Sequence, residues 1–174
     1  MTFEDIYEAH KKLVFNLALQ YVQNTEDAEE ITQDVFVSIY QSINTFNAKS
    51  KLTTWIYRIT INKSLDFVKT RQRKKRFGFI TSLFYHDSND VKHDRPHFNH
   101  PGIQLEHKED LKNLFKQINE LPDNQRTALI LSKIEQKSQT EIGEVMNLSI
   151  KAVESLVQRA KINLARKITA SEGK

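Results

Sequence analysis

The sequence predicts an all-α protein made of two small helical domains joined by a flexible linker, the C-terminal domain carrying a helix-turn-helix. Three observations predict it. Apolar residues recur at helical spacing along most of the 174 residues. That period lapses over residues 77–102, which hold two of the three prolines, two of the four glycines and four of the six histidines. Near the C-terminus, two helix starts follow one another with barely two turns between them. The domains are therefore expected at residues 1–76 and 105–170, with the linker at 77–104. Each bundle has about 70 residues and is marginal alone, so the two could also fold against each other and hide their binding faces.

Thr2 and Asp5 form a capping-box start, and Ile6, Leu13, Val14, Leu17, Ala18 and Tyr21 then make one broad stripe, predicting a first helix to about Val22. Asn24 and Thr25 offer caps for a second helix. Glu26, Asp27, Glu29 and Glu30 crowd its first turns, where the macrodipole favours negative charge, and Ala28, Ile31, Val35, Ile39 and Ile43 supply its buried face. Asp27, Glu30, Gln33 and Asp34 lie on the opposite face, as a docking surface requires. Residues 44–50, NTFNAKS, have turn-forming composition around Phe46. From Lys51 the helical period returns with Leu52, Trp55, Ile56, Ile59, Leu65 and Val68. Thr54, Tyr57, Arg58, Asn62 and Lys63 are interleaved, and the helix runs out through KTRQRKKR, six of whose eight residues are basic. Aromatic rings among cations suit single-stranded nucleic acid, whose bases stack at about 1 to 3 kcal/mol each.

The linker begins with the apolar FGFITSLFY and continues in polar residues. His93, His97 and His100, with Pro96 among them and no regular helix to fix them, predict no metal site. Beyond it, Leu111, Leu114, Phe115 and Ile118 mark a helix ended by Pro122, and Arg126 to Ile134 make the next. Ser138 with Glu141 is a second capping box. The short helix that follows stops at Asn147, a residue tolerant of a left-handed backbone. Ser149 caps a longer helix with Val153, Leu156, Val157, Ala160 and Leu164 inward, and Gly143 lets the pair approach closely. Such a pair would set its second helix in a DNA major groove.

Charge is segregated along the chain. Residues 1–48 carry two basic and eight acidic side chains, residues 49–76 ten and one, residues 77–120 five and seven, and residues 121–174 nine and six. Two positive blocks predict two polyanion contacts, the first ending in Arg73, Lys74, Lys75 and Arg76, while the acidic N-terminal block should meet a basic protein surface. No run approaches the roughly 18 apolar residues of a membrane span, and the N-terminus is acidic and amphipathic, so a cytoplasmic protein without a membrane span is expected. The absence of cysteine excludes disulfides and thiolate metal sites. A glycine-rich phosphate loop, an HExxH pair and a nucleophile elbow are also missing, which argues against an enzyme and predicts no cofactor.

Four segments, in order, carry a resemblance: DAEEITQDVF at Asp27 to Phe36, TWIYRITINKSLDFVKTRQRKKR at Thr54 to Arg76, LPDNQRTALIL at Leu121 to Leu131, and EIGEVMNLSIKAVESLVQRAK at Glu141 to Lys161. Together the chain resembles an extracytoplasmic-function (ECF) sigma factor of bacterial RNA polymerase over residues 3–76 and 105–168. The resemblance implies a non-enzymatic promoter-specificity subunit whose partners are bacterial core RNA polymerase, promoter DNA as duplex and as melted strand, and an anti-sigma factor. It implies that Asp27, Glu30, Gln33 and Asp34 of region two grip the clamp helices of the largest polymerase subunit. The loop Phe46 to Lys51, with Asn47 and Lys49, would capture an unstacked base, and Thr54, Trp55, Arg58 and Asn62 would hold the melted strand. Lys151, Glu154, Ser155, Gln158 and Arg159 of region four would read duplex DNA farther upstream, the linker threading the polymerase between the two sites. Two residues depart from the pattern. Glu154 puts an acid near the groove, which costs phosphate affinity unless it accepts from a cytosine amino group, and Asn147 stands where glycine is common. A rival reading, a free-standing helix-turn-helix regulator, would need neither the acidic second helix nor the aromatic and basic third.

Overall fold

A computed structural model describes the backbone of residues 2–46, 49–84 and 105–172, with side chains for residues 2–46, 49–74 and 110–170. Among these residues the structure is all helical: α1 (Phe3–Val22), α2 (Thr25–Ser42), α3 (Leu52–Phe84), α4 (Leu105–Asn119), α5 (Asp123–Leu129), α6 (Gln139–Met146) and α7 (Ile150–Glu172). A 3-10 turn at Ile43–Thr45 follows α2, and α5 runs on into a π-helical segment, Ile130–Ile134.

Local chemistry sets the ends of α1 and α2. The Asp5 amide donates to Thr2 Oγ1 at 3.2 Å and the Thr2 amide to Asp5 Oδ2 at 2.7 Å, closing the expected capping box. Those bonds from Thr2 hold the exposed Asp5 carboxyl below the usual carboxylate range. Gln23 takes a left-handed backbone, φ 56°, to end α1, and Asn24 then accepts from the Asp27 amide at 2.9 Å to start α2. The stripes of both helices pack with Ile56 of α3 into one core of Ile6, Val14, Ala18, Ala28, Ile31, Val35, Phe36 and Ile39.

Helix α3 is longer than its sequence suggests. It continues through Phe84, eight residues past Arg76, where the apolar period lapses. Its stretch to Arg76 is rich in strong helix formers, the first proline beyond it is Pro96, and Gly78 alone costs only about 1 kcal/mol in a helix interior. Residues 85–104, including the histidines considered for metal and the flexible stretch expected there, lie outside the described residues, as does Asn47.

Pro122, which lacks an amide proton, separates α4 from α5. The second of these starts at Asp123, not at Arg126 as the apolar pattern implies. Asp123 sits in the first turn, where negative charge is favoured, and accepts from Arg126 Nη2 at 2.7 Å. Helices α5, α6 and α7 pack around Leu129, Ile130, Leu131, Ile142, Val145, Val153 and Ala160. This cluster is not confined to the C-terminal half: Leu17 and Tyr21 of α1 and Tyr57 and Ile61 of α3 are buried in it with Ile118 and Leu121. The two helical domains are therefore closed on each other.

Candidate nucleic-acid interface

The helix-turn-helix is assembled by the chemistry its sequence announces. Ser138 Oγ accepts from the Glu141 amide at 3.3 Å, and the Ser138 amide and hydroxyl donate to Glu141 Oε2, each at 2.9 Å. Those bonds keep the exposed Glu141 carboxyl below its ordinary range. Asn147 takes φ 55° and ψ 48°, the left-handed stop expected of it. The Leu148 amide donates to the Gly143 carbonyl at 2.9 Å, folding the turn back over α6. A Cβ on Gly143 would lie 2.8 Å from the Leu148 carbonyl oxygen, so the close approach that this glycine permits is to the turn. Ser149 then accepts from the Ala152 amide at 3.3 Å to open α7.

Val153 and Ala160 of α7 are fully buried, while Lys151, Glu154, Ser155, Gln158 and Arg159 are all exposed. At helical spacing these five share one outward face. It presents two cations, two neutral hydrogen-bonding groups and one carboxylate, a mixture able to meet phosphates and base edges together.

The sequence-predicted residues of the first domain divide in two. Glu30, Gln33 and Asp34 are exposed on one face of α2, and Val37 and Tyr40, 54% and 66% exposed, continue that face toward its C-terminus. The sequence does carry a signal for the last two, since both are apolar yet fall off the buried stripe of Ala28, Ile31, Val35 and Ile39. Asp27 is not part of this open face. Its carboxylate is ion-paired with Arg71 of α3, its side chain only 16% exposed, so it ties α2 to α3.

On α3 and the loop before it, the Phe46 ring lies 5.0 Å from the Trp55 ring, centroid to centroid, at 36°. Lys49, Lys51, Asn62, Arg73 and Lys74 are exposed, whereas the side chains of Lys75 and Arg76 lie outside the described residues. Thr54 is buried at 7% exposure. Tyr57, whose ring the sequence offers for base stacking, is buried at 3%, and its hydroxyl donates to Glu135 Oε2 at 2.7 Å. Desolvation first, then the Glu135 carboxylate, raises the Tyr57 phenol well above its ordinary range. Arg58 reaches across to α6, donating from Nε to the Val145 carbonyl at 3.2 Å and from Nη2 to the Glu144 carbonyl. Sequence reasoning missed Glu135 entirely.

Among the described residues no helix is long and apolar enough to cross a membrane, and no group of three or more His, Asp or Glu side chains is placed to hold a metal ion. What the two halves present is a helix-turn-helix with an exposed polar recognition face, a basic aromatic helix and an acidic helix face. That set defines a DNA-binding transcription protein of the helix-turn-helix class, with a separate exposed acidic face on α2.

The comparisons narrow this class. Residues 6–74 match the family model described as Sigma-70 region 2, and residues 111–164 match Sigma-70, region 4. The chain is 28% identical over 171 residues to the ECF RNA polymerase sigma factor SigW of Bacillus subtilis, spanning 95% of this chain and 88% of that one. It is 28% identical over 166 residues to SigM of the same organism, spanning 94% and 93%. Its fold is similar to CnrH solved with the cytosolic domain of CnrY, with a TM-score of 0.66, 21% identity and coverage of 97% and 88%. It is also similar to the sigma factor RpoE of Bartonella quintana solved with the anti-sigma factor NepR, with a TM-score of 0.63, 20% identity and 96% of each chain covered. The chain belongs to the sigma-70 family, as an ECF sigma factor that directs promoter-specific initiation by RNA polymerase.

Proposed function

We propose that residues 1–76 bind core polymerase and melt and hold the element nearer the start site, that residues 105–170 read the element farther upstream as duplex, and that residues 77–104 connect them. The observation that carries this division of labour is the recognition face of α7, whose five exposed residues stand on a helix held by a sequence-encoded turn. Glu30, Gln33 and Asp34, extended by Val37 and Tyr40, form the surface for the polymerase: an acidic and apolar strip matched to a basic amphipathic helix pair. Asp27 supports this strip from beneath through Arg71. Phe46, Asn47, Lys49 and Lys51 border the base-capturing loop, and Trp55, Arg58 and Asn62 face the strand, with Thr54 packed behind them.

The chain itself breaks and makes no covalent bond on this reading. Exposed bases lose a few kcal/mol of stacking and pairing, and a protein that binds only the open strand shifts the equilibrium toward it. An anti-sigma factor is a further proposed partner, supported by the Bartonella quintana sigma factor of the same fold, which was solved with one. The proposed place of action is the cytoplasm, with the polymerase.

Permanganate reactivity of thymines at a start site tests the reading. With core polymerase present, reactivity is expected only when this protein is added. Duplex binding without core, and no thymine reactivity with it, would favour the free-standing regulator. The basic end of α3 has its own test. Neutralising Arg73, Lys74, Lys75 and Arg76 together is expected to weaken DNA binding and lower the slope of log affinity against log salt by about 3 to 4, nearly one unit for each phosphate left unneutralised. An unchanged slope would remove these residues from the DNA site.

A further inference from the structure

We infer that the free protein is held shut by a latch centred on Glu135, and that the closed state ties up Arg58 of the melted-strand site while leaving the polymerase face and the duplex-reading face open. The inference rests on the proposed strand-holding role of α3 and goes beyond it to regulation.

Four observations converge on this seam. Glu135 accepts from two different helices of the first domain, from Tyr57 Oη at 2.7 Å and from Gln20 Nε2 at 2.6 Å. Lys137, two residues on, lies with its ammonium 5.0 Å from the centre of the Tyr57 ring. The backbone that aims these two side chains is irregular. The π-helical segment Ile130–Ile134 ends at Glu135, and Gln136 takes φ 52°, a left-handed conformation that costs a non-glycine residue energy. Such a turn persists only where its surroundings hold it, and here it places one carboxylate between two donors. Beside the latch, Tyr21 and Thr127 hydroxyls meet at 2.9 Å inside the shared apolar cluster.

The effect on the strand site follows from Arg58. Its guanidinium caps the C-terminal carbonyls of α6, where the helix dipole favours a cation, so two of its donors and its orientation are committed to the second domain rather than to a strand phosphate. Tyr57 is likewise buried against the second domain. By contrast Glu30, Gln33 and Asp34 on α2, and Lys151, Ser155 and Arg159 on α7, remain exposed in the closed chain. Binding is thereby ordered: polymerase and duplex can be engaged first, and the strand site is completed by Arg58 only when the halves part.

The test uses the full-length free chain. Glu135→Ala removes the acceptor of both cross-domain bonds, and Tyr57→Phe removes one donor while keeping the ring. The probe is a fluorescein-labelled single strand of mixed sequence. Glu135→Ala is expected to expand the chain in small-angle X-ray scattering and to bind the single strand about tenfold tighter, as loss of a charged-group hydrogen bond raises the open fraction. Tyr57→Phe should shift both in the same direction by less. Unchanged dimensions and affinity in a folded Glu135→Ala chain would overturn the latch. Should that variant not fold, the wild type still decides. The chain has no cysteine, so Lys12→Cys with Thr140→Cys accepts a dye pair on exposed sites, and low energy transfer in the free protein would overturn closure. A closed chain that fails to bind core polymerase would instead count against the sigma reading, so the two failures are distinguishable.

Discussion

Asp34→Lys is expected to remove the protein from a co-purification with bacterial core RNA polymerase while its circular-dichroism spectrum stays that of the wild type. Asp34 is exposed on α2, in line with Glu30 and Gln33, and no ion pair within the described residues depends on it. Reversing its charge therefore leaves the core of Ile31, Val35 and Ile39 untouched. At the interface it sets like charges together, at a cost of about 3 kcal/mol, or on the order of a hundredfold in affinity. Asp27→Lys is the instructive contrast. It would break the tie to Arg71 and put a cation against a cation, so its loss of binding would come with a lower melting temperature. Loss of helicity in Asp34→Lys would turn this acid into a structural residue. Full retention of binding would make the acidic face a solvated one.

The features legible in the sequence are those decided within a few residues. Both capping boxes, the Asn24 cap and the left-handed Asn147 follow from side chains that satisfy nearby backbone groups, and all four are present in the structure. The stripes of α1, α2 and α7 are equally plain, because each helix buries a single face. Helix α3 resists the same method. It is buried on two sides, against α1 and α2 and against the second domain, so Thr54, Tyr57, Thr60 and Ser64 are all inside. The Thr60 and Ser64 hydroxyls each donate at 2.8 Å to the carbonyl four residues back, which satisfies them without any partner visible in the sequence. Residues that read as a solvent-facing row thus include a buried polar one. Glu135 is illegible for a different reason. Its partners lie 78 and 115 residues away, and a glutamate at a helix end gives the same local signal whether it is solvated or bridging two domains. The carbonyls that bind Arg58 carry no side-chain signature at all.

Gly143→Ala is expected to destabilise the C-terminal domain and to weaken duplex promoter binding, although by helix propensity alone it should help. Replacing glycine by alanine in a helix interior gains about 1 kcal/mol. Here the new methyl would stand 2.8 Å from the Leu148 carbonyl oxygen. That atom is backbone in a turn fixed from both sides, by the Leu148 amide on the Gly143 carbonyl and by the left-handed Asn147, so no rotamer change relieves the contact. Overpacking of this kind costs about 1 to 3 kcal/mol and exceeds the propensity gain. The turn must move outward, and α7 moves with it, because Val153, which anchors its first turns, also lies 4.0 Å from the added atom. A recognition helix displaced relative to α6 loses its fit to the groove, so duplex affinity should fall by about tenfold, the equivalent of about 1.4 kcal/mol. Urea unfolding and fluorescence anisotropy with a promoter duplex check the two effects separately. Higher stability with unchanged DNA affinity would show that the turn yields freely and that the close approach is not what sets α7 in place.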